Sequence, residues 1–284
     1  MAKGKKIAFQ GVPGAYSHLA SSAVMPDAET LACSSFSEMI LAVQKGDADF
    51  AMVPVENSTA GRVADIHHIL PESGLYIIGE HYQPVDHKLL AVKGASLGDI
   101  TEVHSHEQGL AQCRKSLEKL GIKPVIHADT AGAAKDIALM ADPKIGAIAS
   151  SLAAEIYGLD ILEANILDSN LNTTRFLVMA PDQKVPADSS APAITTLIFE
   201  VRSVPAVLYK ALGGFATNGI NLTKIESYMR GSSMQAAQFY IDCEGHIDTP
   251  AMARALEELR FYCKDEGVRI LGTYPESPSR YAPR

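Results

Sequence analysis

The sequence contains no tryptophan, and aromatic residues make up only 6% of its 284 residues. It also lacks any pair of cysteines spaced as CxxC. The four cysteines lie far apart, at Cys33, Cys113, Cys243 and Cys263. A secreted domain held by disulfides and a zinc site built on paired cysteines are therefore disfavoured, and free thiols in a reducing cytoplasm are expected.

Basic residues are also scarce. The 25 lysines and arginines are outnumbered by 33 aspartates and glutamates, which gives a net charge of −8. Nucleic acid is therefore not expected as a partner, because phosphate binding needs a basic surface. No segment approaches the ~20 apolar residues of a membrane span, and the apolar stretch Ile7–Phe9 is too short for a secretion signal. The sequence predicts a cytoplasmic protein without a membrane partner.

The length is large for one hydrophobic core and suits two domains. From residue 5 to 180, short apolar runs alternate with helical patterns, which predicts an α/β domain with a mostly parallel sheet and helices on both faces. Strands are predicted at 6–9, 48–55, 75–78, 88–92, 125–127, 145–149 and 175–179, and helices at 17–24, 36–44, 109–120, 131–140 and 152–157.

A segment rich in proline and serine, residues 182–193, is predicted to be a linker. The pattern after it reads β-α-β-β-α-β, the ferredoxin-like arrangement. Its strands are predicted at 194–202, 221–229, 233–243 and 268–272, and its helices at 205–217 and 250–264. The proline-rich tail from Pro275 is expected to be loose.

Four predicted strand-to-helix junctions carry glycine, hydroxyl or amide side chains, at residues 11–17, 56–61, 129–130 and 150–151. Free N–H groups and the helix dipole favour anions at such positions, and ligands of open α/β sheets bind at this edge. Ordinary helix capping explains each junction equally well when it is taken alone. The sequence thus leaves open whether these junctions form an anion-binding cleft or only cap helices.

Other common sites are disfavoured. Residues 11–14 lack the GxGxxG spacing of dinucleotide folds, and no glycine-rich loop is followed by GK[ST]. The histidine pairs His67–His68 and His104–His106 have no third ligand at a standard spacing. We therefore predict no metal.

Five stretches in the same order resemble the prephenate dehydratase family. They are Gln10–Ser17 (QGVPGAYS), Pro54–Val63 (PVENSTAGRV), His104–Cys113 (HSHEQGLAQC), Ala147–Leu159 (AIASSLAAEIYGL) and Asn165–Phe176, which ends in TRF. The resemblance implies a two-lobed catalytic domain like that of periplasmic binding proteins. This domain would span residues 5–181, with lobe 1 at 5–82 and 164–181 and lobe 2 at 83–163.

The family resemblance also implies a reaction and its residues. Prephenate would lose carbon dioxide and water to give phenylpyruvate, without metal or organic cofactor. Thr174 matches the family's proton donor. The expected substrate-binding residues are Asn57, Ser58, Gln108, Thr130, Ser150, Gly14, Ala15, Arg175 and Phe176. Phe176 would form an apolar wall, Arg175 would bind the pyruvyl carboxylate or hold the loop, and Glu56 would relay a proton or cap a helix.

Residues 194–274 resemble an ACT domain, an amino-acid-sensing module, through Gly219–Ser227 (GINLTKIES). The resemblance implies L-phenylalanine as an effector and a homodimer or homotetramer. Expected effector-binding residues are Leu208, Asn218, Ile220, Asn221, Leu222, Glu226 and Ser227. Two positions depart from the family, since Ala206 replaces the glycine of a PGAL turn and Tyr228 replaces the arginine of ESRP.

Two alternatives remain at this stage. An enzyme of the same family could prefer arogenate, which carries an amino group in place of the keto oxygen. A protein built from two binding modules could also be a metabolite sensor without catalysis, although such a sensor has no reason to keep Thr174, Arg175 and Phe176 together.

Overall fold

The structure, a computed structural model, describes residues 4–63, 66, 69–169, 171–229 and 236–281. The chain divides into two compact units. The first comprises the residues up to 69 together with His81–Phe176, and the second comprises Leu70–Glu80 together with residues 177–281. None of the described helices is long and apolar enough to cross a membrane.

As far as residue 180, the described chain contains helices and strands that alternate in part. In chain order they are β1 (Lys6–Gln10), α1 (Tyr16–Val24), β2 (Glu29–Cys33), α2 (Phe36–Lys45), β3 (Phe50–Asn57), β4 (Gly61–Arg62), β5 (Tyr76–Pro84), β6 (Lys88–Ala91), β7 (Glu102–Ser105), α3 (Glu107–Gln112), α4 (Arg114–Leu120), β8 (Lys123–Ile126), α5 (Thr130–Met140), β9 (Ile145–Ala149), α6 (Ser151–Tyr157), β10 (Asp160–Glu163) and β11 (Thr173–Ala180).

These strands form two sheets. The first has the order β2-β1-β3-β11-β5, with β4 paired to β3, and β1 runs parallel to both β2 and β3. The second has the order β10-β6-β9-β7-β8; its strands β7, β8 and β9 are parallel, whereas β6 and β10 pair antiparallel. The predicted α/β class with two lobes is confirmed.

Small side chains bring helices close to the second sheet. Ala131, Ala133 and Ala134 of α5 lie in one buried cluster with Ala147 and Ala149 of β9. Such short side chains let a helix approach a sheet closely while keeping the dense packing of a protein interior. This packing fixes the first residues of α5 above the ends of the strands.

Besides the two-residue β4, three strands, β2, β7 and β10, were missed because each is short and mixes polar with apolar residues. Val103 is the one hydrophobic residue of β7. The helix predicted at 109–120 is two helices separated at Cys113. The helix start predicted at residues 56–61 is wrong, because β3 continues to Asn57 and turns back into β4 as a hairpin.

The second unit contains a four-stranded antiparallel sheet. Its elements are β12 (Ala193–Val201), α7 (Val207–Thr217), β13 (Leu222–Met229), β14 (Ala236–Glu244), α8 (Pro250–Tyr262) and β15 (Cys263–Pro275), and the sheet order is β13-β14-β12-β15. Leu197 and Phe199 of β12 share a core with Phe215 of α7 and Leu256 of α8. The predicted ferredoxin-like arrangement is confirmed. The limits predicted for the domains and for the linker stay predictions.

The tail after β15 is not loose as far as it is described. Arg280 is buried, and its guanidinium lies 2.6 Å from Glu80 Oε2. The backbone N–H of Ser277 also donates to Glu80. A buried ion pair with these hydrogen bonds holds the segment in place. The sequence could not indicate this pairing, because the two charged residues are 200 positions apart.

Candidate active site

Strands β3, β7 and β8 end beside one cavity of about 220 Å³ within the first unit. Its lining is mostly polar and uncharged: Tyr16, Asn57, Val85, His87, His106, Gln108, Gly109, Gln112, Asp129, Thr130, Asn172 and Thr174. Four residues expected from the sequence, Asn57, Gln108, Thr130 and Thr174, are therefore brought together here.

Asn57 organises one side of the cavity. Its amide group donates to Thr174 Oγ1 at 2.9 Å and to Asn172 Oδ1 at 2.7 Å, while its own oxygen accepts N–H groups from Thr59 and Ala60 in the hairpin turn. The turn thus fixes which way the amide points. Because Thr174 accepts this hydrogen bond, its hydroxyl proton remains available for a ligand in the cavity.

The polar contacts continue across the cavity wall. Asn172 donates to Gln112 Oε1 at 2.6 Å. Gln112 in turn contacts His87, whose Nδ1 lies 3.0 Å from the Tyr16 hydroxyl. Burial lowers the pKa of His87 to about 4, although the hydrogen bond with Gln112 and the charge of Asp86 oppose this. His87 is therefore a neutral imidazole at physiological pH.

Two further lining residues cap helices. His106 Nδ1 accepts the backbone N–H of Gln108 at the start of α3, and Asp129 accepts that of Gly132 at the start of α5. Asp129 brings the one carboxylate of the described lining. No lysine or arginine is found among the described residues that line the cavity.

Three expected substrate-binding residues, Gly14, Ala15 and Ser150, lie instead beside the cavity, where the loop after β1 contacts the start of α6. The Ser150 hydroxyl donates to the Gly14 carbonyl at 2.6 Å and accepts the N–H of Ala153, so it caps α6. Ala15 packs against the apolar cluster of α5 and α6. None of the three lines the cavity. The glycine loop after β1 therefore holds the two lobes together at this point.

Arg175, Phe176 and Ser58 also lie outside the cavity lining. Arg175 and Phe176 are buried, and the Arg175 guanidinium lies 3.6 Å from Glu56 Oε1. Ser58 bridges the hairpin turn to the strand that carries Thr174, donating to the Leu171 carbonyl and accepting the N–H of Thr173. These contacts support the backbone around Thr174. Glu56 has no helix to cap, because a hairpin follows it.

The residues expected to bind an effector lie in the second unit, along α7, β13 and the loop between them. Leu208, Ile220 and Leu222 pack partly buried against its core. Asn218 ends α7 and accepts a hydrogen bond from Arg254. Asn221 and Ser227 are exposed, and Glu226 pairs with Lys224. β13 is an edge strand of the sheet.

Both departures from the ACT pattern have structural consequences. Ala206 directly precedes α7 and has φ +55°, a left-handed conformation that glycine adopts without strain. Tyr228 is buried in β13. Arg230, the neighbouring cation, lies outside the described residues.

Besides Val85 and Gly109, sequence reasoning missed six polar lining residues: Tyr16, His87, His106, Gln112, Asp129 and Asn172. Five of them lie in stretches that the sequence analysis had already identified, such as the glycine loop. For these five, the sequence did not indicate that the side chain points into the cavity. His87 had no such signal, because a single histidine before a short strand is usually part of a surface or core.

Comparison with known proteins agrees with this geometry. The family model of prephenate dehydratase matches residues 7–184. A protein of Komagataeibacter europaeus, named bifunctional N-acyl-homoserine lactone acylase/prephenate dehydratase, is 48% identical over 280 residues and aligns over 98% of both chains. Arogenate dehydratase/prephenate dehydratase 1 of Arabidopsis thaliana is 40% identical over 95% of this chain and 72% of its own.

Among solved structures, the prephenate dehydratase of Arthrobacter aurescens in complex with L-Phe matches with a TM-score of 0.87 at 30% identity, over 98% of this chain and 92% of that one. The family match alone spans more than half of the sequence. The chain therefore belongs to the prephenate dehydratase family.

Proposed function

We propose that this protein converts prephenate to phenylpyruvate in the cavity around Thr174. The observation that carries the proposal is the Thr174 hydroxyl, held by Asn57 among neutral donors. In the reaction, the bond to the ring carboxylate breaks and its electron pair enters the ring as carbon dioxide leaves. The ring then becomes aromatic by expelling its hydroxyl group, which needs a proton to depart as water.

Thr174 suits the second half of this reaction. A threonine hydroxyl is a weak acid, so it acts as a positioned hydrogen-bond donor to the departing oxygen and recovers its proton from water. The scarcity of cations around it is favourable. A strong ion pair to the departing carboxylate would stabilise the substrate more than the charge-dispersed transition state.

The direct test is incubation of the purified protein with prephenate, followed by measurement of phenylpyruvate absorbance in alkali. Thr174→Ala is the companion variant, and Ser151→Ala is a control at an exposed hydroxyl that does not line the cavity. Turnover by the wild type and by the control, but not by Thr174→Ala, supports the proposal. A wild type that binds prephenate without turnover would instead be a sensor.

Arogenate is a second candidate substrate, and one observation favours it. Asp129 places a carboxylate on the cavity wall, where it could pair with the ammonium group that arogenate carries and prephenate lacks. The Arabidopsis relative bears both activities in its name. Asp129→Asn should then lower kcat/KM for arogenate more than for prephenate. An equal effect on both substrates would leave prephenate as the better candidate.

Acylase chemistry, named for the Komagataeibacter relative, has less support. Within the described lining of the cavity there is no serine or cysteine, and Thr174 accepts its hydrogen bond from an amide rather than donating to a base. Cys113 is buried, and burial raises its pKa to about 12. Incubation with an N-acyl-homoserine lactone provides the corresponding assay, and we expect no hydrolysis.

We further propose phenylalanine as the effector of the second unit, acting in a homodimer or homotetramer. The L-Phe complex of the Arthrobacter relative supports this, as does an exposed edge strand next to the loop 218–221. Calorimetric titration with phenylalanine and activity at millimolar effector test it. No heat of binding together with unchanged activity would leave this unit a structural role. The cytoplasmic location stays a prediction.

A further inference from the structure

Besides the hydroxyl groups of Thr174 and Thr130, the cavity contains that of Tyr16, which is paired with a buried histidine. Tyr16 begins α1, which follows β1 of the first sheet, and His87 directly precedes β6 of the second sheet. The Tyr16 oxygen lies 3.0 Å from His87 Nδ1, and the two rings meet edge to face with centroids 5.4 Å apart. Both residues line the cavity.

The surroundings of His87 hold its ring in one orientation. The residue is only 3% exposed. A Cβ atom built on Gly109 would lie 3.4 Å from His87 Nε2, so the start of α3 packs directly against the ring. A neutral imidazole offers one donor and one acceptor. His87 can therefore bond Gln112 on one side and Tyr16 on the other. When Nδ1 carries the ring proton, it donates to the Tyr16 oxygen and leaves the phenol proton for a ligand.

The Tyr16 hydroxyl has more bonding capacity than this pair uses. A phenol has one proton and two lone pairs, and His87 and the backbone N–H of Asp86 occupy two of these three positions. The remaining position is available to a ligand in the cavity. Among the lining residues that the structure describes there is no lysine or arginine, so the oxygens of an anionic substrate must be bound largely by neutral groups such as this hydroxyl.

We propose that Tyr16 is a further substrate-binding residue, and that His87 is the positioning residue that fixes the direction of its hydroxyl. The inference rests on the proposed dehydratase function. Through Gln112 and Asn172, His87 also belongs to the same chain of side-chain contacts as Asn57 and Thr174. One network would thus orient two hydroxyl groups around the substrate.

A double-mutant cycle on kcat/KM tests this assignment. Tyr16→Phe and His87→Leu should each lower kcat/KM by about 10- to 100-fold, the usual effect of losing a hydrogen bond to a charged ligand. If His87 acts through Tyr16, the double variant should be no worse than the poorer single variant. Losses that multiply in the double variant would overturn the positioning role.

Two further variants separate positioning from packing. His87→Gln keeps an amide donor and acceptor and should recover a large part of the activity that His87→Leu loses. His104→Leu is the matched control, since His104 is a half-buried histidine in β7 that bonds Glu102 and does not line the cavity. It should keep wild-type kinetics. Failure of His87→Gln to exceed His87→Leu would contradict the inference.

The failure of this inference can be distinguished from that of the proposed function. If the wild type turns over prephenate or arogenate and Tyr16→Phe retains full kcat/KM, the function stands and the Tyr16 contact is refuted. A wild type without turnover of either substrate removes both. Nitrogen NMR of the His87 ring gives a readout besides activity: Tyr16→Phe should move the Nδ1 resonance, and an unmoved resonance would refute the pair.

Discussion

Gly14 offers the sharpest test of how the two sheets are held together beside the cavity. It has φ +91°, and a Cβ atom built on it would lie 2.8 Å from Ala153 Cα and 2.9 Å from Ala153 Cβ. The nearest atom belongs to the backbone of α6, so the overlap cannot be relieved by a side-chain rotation. Gly14→Ala must therefore shift the loop after β1 away from α6.

The expected cost has two parts. A non-glycine residue in the left-handed region costs about 1–2 kcal/mol, and overpacking at a close contact costs about 1–3 kcal/mol. Gly14→Ala should thus lower the free energy of unfolding by about 2–5 kcal/mol. Gly46→Ala is the matched control, because Gly46 ends α2 at φ +80° with no atom within 4 Å of the added Cβ. It should lose only about 1–2 kcal/mol, the conformational part.

The free energy of unfolding of both variants is measured by urea titration, with far-ultraviolet circular dichroism as the signal. Because the two units can unfold in sequence, the earliest transition is fitted separately. Activity gives a second readout, because Tyr16 lies two residues beyond Gly14. We expect Gly14→Ala to lower kcat/KM and Gly46→Ala to leave it unchanged. Equal losses of stability in the two variants, or full activity in Gly14→Ala, would refute the argument that this contact sets the cavity.

Three other predictions concern the cavity and its support. Thr174→Ala should reduce kcat by roughly 10²- to 10⁴-fold with an unchanged unfolding midpoint, and near-normal kcat would remove Thr174 from the reaction. The family resemblance favours a weaker substrate affinity in Arg175→Lys, whereas its burial beside Glu56 predicts a lower unfolding midpoint with little change in KM; measuring both decides between these roles. His87 should make stability depend on pH. Burial lowers its pKa from the ordinary 6.5 to about 4 in the folded protein. Between these two values the unfolded chain binds more protons than the folded one, so the free energy of unfolding should drop by about 2 kcal/mol between pH 7 and pH 5. His87→Gln should lack this drop, and identical pH profiles would show that His87 is not buried as a neutral ring.

Local sequence patterns predicted much of the fold. Continuous apolar runs such as β1 and β9 indicated buried strands, and Ser, Asp and glycine marked helix ends such as those of α5 and α6. β7 was not predicted because it has a single hydrophobic residue. The hairpin after Glu56 was not predicted because its turn residues are also those that begin helices.

The sequence by itself determined the order of the elements, the ferredoxin-like second unit and the family, because each depends on short stretches of neighbouring residues. It could not decide which polar side chains face one another. Asn57 and Thr174 are 117 positions apart, Tyr16 and His87 are 71 apart, and Ser150 and Gly14 are 136 apart. Hydroxyl and amide groups bind or cap equally well, so only the tertiary structure shows that Thr174 faces a cavity while Ser150 caps a helix.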